Sequence, residues 1–207
     1  MNGTVILAAG DFPRKGGAAW KLLVGATRVV ACDSAADVYR RRFRKWPTVI
    51  IGDLDSLSRL PASVSRPPTL VKVSDQDTND LEKAISYCAK QGWRDPVIVG
   101  ATGRREDHTL GNVFRALENG LRIVTDFGRF EPVEGGATLA ARKGAGVSVF
   151  APDPTTRMTS RGLEWPLDGV RFDRLYRATL NRATASRVAL TASARVMVFI
   201  EEKTEEA

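Results

Sequence analysis

Residues 4–125 repeat one pattern, in which a short apolar strand is followed by a polar or glycine-containing turn and then by a helical segment. Most of the strand candidates are continuous apolar runs rich in Val and Ile, which is typical of parallel strands covered on both faces. They are Thr4–Ala9, Arg28–Ala31, Thr48–Ile51, Leu70–Val73, Val97–Val99 and Arg122–Thr125. This alternation predicts a doubly wound, mostly parallel, Rossmann-like α/β sheet with right-handed crossovers.

The clearest helix of this region follows Asp77. Its apolar residues recur at helical spacing and predict one buried stripe, made of Leu81, Ala84, Ile85, Cys88 and Ala89. The N-cap candidates are Asp77, Thr78 and Asn79, and Gly92 is a candidate stop. A second helix is predicted over Asp107–Asn119, closed by Gly120.

The pattern changes after Asp126, where helical periodicity disappears and glycines separate short strand-like runs. These runs are Ala137–Ala141, Val147–Phe150 and Val196–Ile200. They predict a small all-β domain, a sandwich or a barrel. We therefore expect two domains, residues 1–126 and residues 127–207.

The net charge of +7 raises the question of a nucleic-acid partner. The densest basic cluster is Arg40, Arg41, Arg42, Arg44 and Lys45, and it lacks the interleaved aromatic residues of a single-strand binder. We consider nucleic-acid binding unlikely and a solvated basic face the better interpretation. No apolar run approaches the roughly 20 residues that span a bilayer. Two scattered cysteines predict neither a disulfide framework nor a zinc site, so we expect a cytoplasmic protein.

Polar residues follow several of the predicted strands at a distance of two residues. Asp33, Asp53 and Asp75 each come after a strand, and Gly100 follows Val97–Val99. Open α/β sheets bind ligands beyond the carboxyl ends of their strands, so these residues predict a site at one edge of the sheet. Carboxylate oxygens in an otherwise basic chain favour a divalent metal, and Mg²⁺ in particular.

Each of the acidic motifs also has a structural interpretation. In extended geometry Asp53 and Asp55 would face one side and could ligate a metal, whereas the alternative is an Asx turn that ends a strand. Asp80 and Lys83 share a helix face and could hold a metal and a phosphate. The alternative for them is an acid that favours the helix dipole together with a surface ion pair.

The segment Gly103–His108 combines a flexible turn, a guanidinium at Arg105 and a helix N-terminus, which suits a phosphate. The alternative is a basic loop with Asp107 as the N-cap. His108 is the only histidine, so the chain offers no His-based metal cluster and no Ser-His-Asp triad. We expect a structural or supporting role for it. The P-loop and G-x-G-x-x-G motifs are both missing.

Five segments, taken in this order, resemble the thiamine pyrophosphokinase family. They are Gly10–Pro13, Ala31–Asp37, Gly52–Ser56, Asp75–Ala84 and Arg105–Asn112. The resemblance covers nearly the whole chain. It implies transfer of a pyrophosphoryl group from ATP to the hydroxyethyl group of thiamine, with release of AMP. It also implies an α/β catalytic domain that binds nucleotide and Mg²⁺, a β domain for thiamine binding and dimerisation, and a homodimer.

The resemblance assigns roles to individual residues. The implied Mg²⁺ ligands are Asp53, Asp55 and Asp80. The implied catalytic residues are Asp55, Asp80, Lys83, Arg105 and Asp107, and the proton acceptor stays open between Asp55, Asp80 and Asp107. The implied nucleotide-side residues are Gly10, Asp11, Asp33, Gln76, Asp77 and Asn79. On the thiamine side the implied residue is Asn181.

Two stretches depart from the family pattern. Ser34, Ala35 and Asp37 stand where the family has two glycines and an asparagine, and Leu180-Asn181 stands where it has Ser-Asn. We expect core packing for Trp165 and Tyr176, with stacking on the thiamine ring as the alternative. Two other functions remain open: transfer to another small alcohol such as a pterin, and a non-catalytic nucleotide or nucleic-acid binder on the same fold.

Overall fold

The computed structural model of the chain describes residues 3–55, 66–75 and 77–202. The chain is a mixed α/β protein and divides into two compact units, Met1–Arg115 (unit 1) and Ala116–Ala207 (unit 2). Among the described residues no helix is both long enough and apolar enough to cross a membrane.

Unit 1 contains a parallel sheet with the strand order β5-β1-β2-β3-β4. Its strands are β1 (Thr4–Leu7), β2 (Arg28–Cys32), β3 (Val49–Gly52), β4 (Thr69–Lys72) and β5 (Val97–Val99). All five begin and end within two residues of the predicted bounds. The apolar runs of β1, β2, β3 and β5 are buried, whereas β4 is exposed at the edge. The parallel sheet brings the carboxyl ends of these strands to one side.

The helices are α1 (Ala18–Gly25), α2 (Ala35–Phe43), α3 (Asp80–Lys90) and α4 (Glu106–Glu118). Asn79 caps α3 by accepting the Glu82 N–H at 2.9 Å, and Gly92 follows its end with a left-handed φ of 67°. The predicted stripe of α3 is buried except for Ala89, which is exposed, so that part of the prediction is wrong. Ala89 lies about a quarter turn from the centre of the stripe, and Lys83 is buried on the other side of the helix.

Unit 2 is built from antiparallel strands in the order β6-β7-β11-β8-β10, and β9 also pairs with β11. They are β6 (Ile123–Val124), β7 (Gly128–Ala140), β8 (Gly146–Phe150), β9 (Met158–Arg161), β10 (Ala178–Arg182) and β11 (Arg187–Glu201). The predicted apolar runs fall in β7, β8 and β11. Strands β9 and β10 were not predicted from the sequence.

Strand β7 bends back on itself. The Arg129 guanidinium donates to the carbonyl oxygen of Ala140, 11 residues further along the same strand. A straight strand would separate these residues by about 36 Å, far beyond the reach of an arginine side chain. The partner strand β11 carries an irregularity in its register between Ala192 and Val196, and such bulges bend strands. The bent β7–β11 pair contributes many of the buried residues of the unit 2 core.

Candidate active site

A pocket of about 530 Å³ lies in unit 1, and its volume falls within the range of small-molecule sites. The predicted site residues that line it are Gly10, Asp53, Asn79, Asp80, Lys83 and Arg105. They come from the ends of β1 and β3, from the start of α3 and from the segment before α4. The structure therefore brings six predicted site residues together. Of the residues predicted at the strand ends, Asp53 lines the pocket, whereas Asp33, Asp75 and Gly100 do not.

The loop after β1 forms one wall of the pocket. Beyond the strands, the Gly10 N–H donates to the Gly100 carbonyl at 2.7 Å and the Asp11 N–H donates to the Thr102 carbonyl at 2.8 Å. A side chain at Gly10 would collide with both of these carbonyl oxygens, so this close approach requires glycine. The carboxylate of Asp11 lies against Gly103 and does not line the pocket.

The backbone from Asp53 to Asp55 is not extended, so the geometry assumed for this pair is wrong. β3 ends at Gly52, and Leu54 has a left-handed φ of 64°, which turns the chain between the two acids. Asp53 Oδ1 accepts the Asp55 N–H at 3.1 Å, which is the Asx-turn alternative. Asp53 nevertheless lines the pocket, whereas Asp55 is exposed and does not.

Asp80 and Lys83 meet in the first turn of α3. The Lys83 Nζ lies 3.2 Å from Asp80 Oδ1, and the lysine is only 9% exposed, so the carboxylate compensates a buried charge. A Cβ at Gly52 would lie 3.5 Å from the same Oδ1. The Asp80 carboxylate thus reaches the end of β3, next to Asp53 along the chain. One wall therefore carries two acids and one buried ammonium.

The segment before α4 supplies positive charge. Arg105 lines the pocket and donates two hydrogen bonds to the carboxylate of Asp107, at 3.1 and 2.6 Å. These bonds lower the pKa of Asp107 to about 2. Asp107 does not line the pocket, and α4 begins one residue before it, so the alternative role as an N-cap is wrong. His108 is exposed and lines the pocket.

The remaining nucleotide-side predictions lie near the pocket or outside the described residues. Asp33 is buried at the end of β2 with a φ of 36°, and its backbone N–H donates to the Ile51 carbonyl at 2.9 Å. Asp77 is exposed and donates its N–H to Asp75 Oδ1 at 2.9 Å. Gln76 lies outside the described residues.

Two polar residues of the pocket lining, Arg104 and Asn112, received no individual role from the sequence. Arg104 lines the pocket and donates to the Ala9 carbonyl at 3.1 Å, and Asn112 lines it and donates to the Ala101 carbonyl at 2.8 Å. Asn112 lies four residues after His108, so helical spacing alone would have placed both on one face. Arg104 carried no signal that separated it from Arg105.

The donor set of the pocket fits a magnesium ion. Within the described ranges, His, Cys, Asp and Glu form no group of three or more that could hold a metal ion. The two carboxylates of the pocket lining are Asp53 and Asp80. Mg²⁺ usually takes one or two carboxylates and leaves its other positions to waters and substrate phosphates, so this pair suits it without a complete protein cage.

The predicted thiamine-side residue, Asn181, lies in unit 2 and is 4% exposed. Its Oδ1 accepts the N–H groups of Trp165 and Arg182 at 3.1 and 2.8 Å, and its Nδ2 donates to the Trp165 carbonyl at 2.6 Å. The polar atoms of the Asn181 side chain are therefore hydrogen-bonded to the backbone. Leu180 has a left-handed φ of 64° and is 85% exposed.

The expectation of core packing for the two aromatic residues is wrong. Trp165 is 53% exposed and Tyr176 is 60% exposed. Both flank the strand that carries Asn181: Trp165 through the amide bonds, and Tyr176 through its carbonyl, which accepts the Thr179 hydroxyl at 3.1 Å. The apolar side chains of this region thus face outward from unit 2, while its one predicted polar contact faces inward.

The chain is similar in sequence and in fold to known thiamin pyrophosphokinases. The curated thiamin pyrophosphokinase 1 of Caenorhabditis elegans is 26% identical over 198 residues, which cover 83% of this chain and 78% of that protein. The thiamin pyrophosphokinase family protein of Enterococcus faecalis is 17% identical with a TM-score of 0.77, over 97% of this chain and 99% of that one. Thiamin pyrophosphokinase of Candida albicans is 15% identical with a TM-score of 0.74, over 98% and 90%. At these identities the two solved structures support the fold.

The family itself is shown by two sequence models. The model of the thiamin pyrophosphokinase catalytic domain matches residues 19–125, which is more than half of the chain. The model of the thiamin pyrophosphokinase substrate-binding domain matches residues 128–199. The chain therefore belongs to the thiamin pyrophosphokinase family.

Proposed function

We propose that the pocket of unit 1 binds ATP together with Mg²⁺ and is the place where the reaction of this family occurs. That reaction is ATP-dependent pyrophosphoryl transfer to thiamine, which makes the chain a thiamine diphosphokinase, a transferase of thiamine metabolism. The observation that carries the proposal is the meeting of Asp53, Asp80 and Lys83 in one pocket lining.

The charges of the pocket suit a triphosphate. Asp53 and Asp80 would hold Mg²⁺, and the ion would neutralise phosphate charge and polarise the phosphorus–oxygen bonds when bound. The Lys83 ammonium is buried beside them, where a low local dielectric strengthens its attraction for phosphate oxygens. Arg105 would contact the phosphates from the side of α4. Asp55, the third ligand that the resemblance implies, stays a prediction.

The reaction needs an acceptor for the proton of the thiamine hydroxyl. Of the three candidates, Asp107 is bound by Arg105 and has a pKa of about 2, so it is a poor base. Asp55 does not line the pocket, whereas Asp80 does. Asp80 is already paired with Lys83 and assigned to Mg²⁺, so the proton acceptor stays a prediction between Asp55 and Asp80.

The assignment of catalysis and thiamine binding to separate domains is also a proposal. The family matches end at residue 125 and resume at residue 128, which supports a catalytic α/β domain over 1–126 and a thiamine-binding β domain over 127–207. The parallel strand order supports a Rossmann-like first domain, and the bent β7 supports a sandwich or barrel for the second. We also propose a homodimer. Two buried free thiols, Cys32 and Cys88, suit the reducing cytoplasm.

The test is product analysis after incubating the purified protein with ATP, Mg²⁺ and thiamine. We expect AMP and thiamine diphosphate in equal amounts, and neither when one of the three components is omitted. Formation of ADP would mean transfer of a single phosphoryl group and would contradict the proposal. A pterin alcohol in place of thiamine serves as the matched acceptor, and turnover with the pterin alone would favour the alternative substrate.

A further inference from the structure

An ion pair joins the two helices that border the pocket. The Arg115 Nε of α4 lies 2.9 Å from the Glu82 Oε2 of α3. The side chains are only 38% and 21% exposed, so solvent and salt screen this pair less than a surface pair. Both residues belong to unit 1, and neither lines the pocket. The pair is therefore outside the site described above.

Arg115 extends the face of α4 that lines the pocket. His108 and Asn112 line it, and Arg115 follows them by seven and three residues, which places all three on one side of the helix. Asn112 also fixes this face to the loop after β5, through its hydrogen bond to the Ala101 carbonyl. The guanidinium of Arg115 thus projects from a face whose position is already set.

Glu82 lies in the first turn of α3, between the residues that the pocket uses. It is two residues after Asp80 and one before Lys83, and its backbone N–H is the group that Asn79 caps. At about 100° per residue, Glu82 points roughly 160° away from Asp80 around the helix axis. The pair with Arg115 therefore holds the flank of α3 opposite to Asp80.

The flank that carries Asp80 has its own contacts. The Cys32 thiol donates to the Asp80 carbonyl at 3.5 Å, and the Asp80 carboxylate lies against the backbone of Gly52. The first turn of α3 is thus held from β2 and β3 on one flank and from α4 on the other. Loss of either support would let the turn rotate or shift, and a small displacement of a charge-positioning group is costly in catalysis.

We propose that Glu82 and Arg115 form a positioning pair that fixes the first turn of α3 against α4, and so places Asp80 and Lys83 for the nucleotide phosphates. The proposal rests on the proposed function in one respect, because it takes the pocket to be the ATP site. Neither residue touches the phosphates in this account. Their removal should therefore weaken ATP use by misplacing other groups, and it should leave the thiamine KM nearly unchanged.

The test is a double-mutant cycle with Glu82→Gln, Arg115→Met and the double variant. We expect each single variant to raise the KM for Mg·ATP about fivefold, a typical coupling for residues in contact. The double variant should match the single variants, because one interaction is lost in all three. Arg41→Met, which removes an exposed arginine from α2, is the matched control and should leave the KM unchanged. Arg115→Lys keeps the charge and should restore part of the loss.

Three results would overturn the pair. The first is multiplication of the single effects to about 25-fold in the double variant, which is the value for independent residues. The second is an unchanged KM in both single variants. The third is a lower melting temperature together with a normal KM and a normal kcat, both measured well below that melting temperature. That result would describe a purely structural pair.

The same cycle is measured by calorimetry with Mg²⁺ and a non-hydrolysable ATP analogue, which separates the two proposals. A wild-type protein that binds the analogue but makes no thiamine diphosphate contradicts the proposed function. The double-mutant cycle, measured as affinity for the analogue, then still tests the Glu82–Arg115 pair. A wild-type protein that does not bind the analogue contradicts both, since both place the phosphates in this pocket.

Discussion

The two predicted ligand-contact regions use their polar side chains in opposite ways. In unit 1, Asp53, Asp80 and Lys83 lie around a pocket and present charge to it. In unit 2, Asn181 is 4% exposed and gives its amide to the backbone of Trp165. A polar residue within a family motif is therefore a candidate ligand contact in unit 1, whereas in unit 2 it forms hydrogen bonds inside the protein.

The cause of the difference lies in the backbone. The parallel strands of unit 1 end together and satisfy their own hydrogen bonds, so the side chains that follow them are available. In unit 2 the backbone pairing beside β10 ends at Trp165. The Glu164 N–H still donates to the Arg182 carbonyl at 2.9 Å, but the Trp165 N–H donates to the Asn181 side chain. The amide continues the ladder for one more residue.

The largest effect should come from Asp80→Asn. The variant removes a charge that faces Lys83 and the proposed metal, and we expect AMP formation to fall at least about a hundredfold, the scale for one preorganised electrostatic group. The fold should persist, because asparagine keeps the shape of the side chain. Asp95→Asn is the matched control, since Asp95 is exposed, lies outside the pocket and has a left-handed φ of 51° that asparagine tolerates. Equal rates in the two variants would remove Asp80 from the site.

Asn181→Ala should act on stability more than on catalysis. The substitution removes the partner of both backbone groups of Trp165, and we expect a loss of about 2 kcal/mol in the free energy of unfolding by urea. The KM for thiamine, measured well below the melting temperature, should change less than it would on loss of a direct contact to the ligand. An unaltered unfolding free energy with a strongly raised thiamine KM would make Asn181 a ligand residue and break the comparison.

Leu180→Gly should stabilise unit 2. Leucine in the left-handed region carries a steric cost, and this side chain is 85% exposed, so its removal sacrifices little burial. After the entropic cost of glycine is subtracted, we expect a gain of about 0.5 kcal/mol in chemical denaturation. Leu180→Ala keeps the backbone strain and should show no gain. A gain of the same size in both variants would mean that exposure of the side chain, and not strain, is the cause.

The smallest effect concerns the pH dependence of Asp107→Asn. Hydrogen bonds from Arg105 lower the pKa of Asp107 to about 2, so this group stays ionised over the whole range of an ordinary activity assay. Its loss should therefore leave the acid limb of the kcat/KM profile where it is in the wild type. The change in rate should stay far below that of Asp80→Asn. A shift of the acid limb would show that Asp107 titrates during turnover.

Much of unit 1 could be predicted from the sequence because its signals are local. Continuous Val and Ile runs gave the strands, and the 3.6-residue period gave α3 together with its cap at Asn79. Of the strand-end residues, Asp53 lines the pocket, whereas Asp33, Asp75 and Gly100 do not. The orientation of Asp55 could not be predicted, because it depends on the left-handed turn at Leu54, a conformation that leucine rarely adopts.

Unit 2 was harder to predict because its structure depends on distant pairing. β9 and β10 are short and weakly patterned, and each is held by a strand elsewhere in the chain. The bend of β7 accompanies its irregular pairing with β11 and brings Arg129 to Ala140, at the two ends of the strand. The role of Asn181 likewise depends on Trp165, 16 residues earlier. A motif gave the position of that residue but not the direction of its side chain.

The contrast between the two units is tested by comparing Asp80→Asn with Asn181→Ala in one assay of thiamine-dependent AMP formation. Both are measured at a temperature where circular dichroism shows that each is folded. We predict that Asp80→Asn loses most of its kcat while Asn181→Ala keeps most of its own. Near-normal turnover by Asp80→Asn, with turnover lost in folded Asn181→Ala, would mean that the chemistry depends on Asn181 of unit 2. It would contradict a catalytic pocket in unit 1.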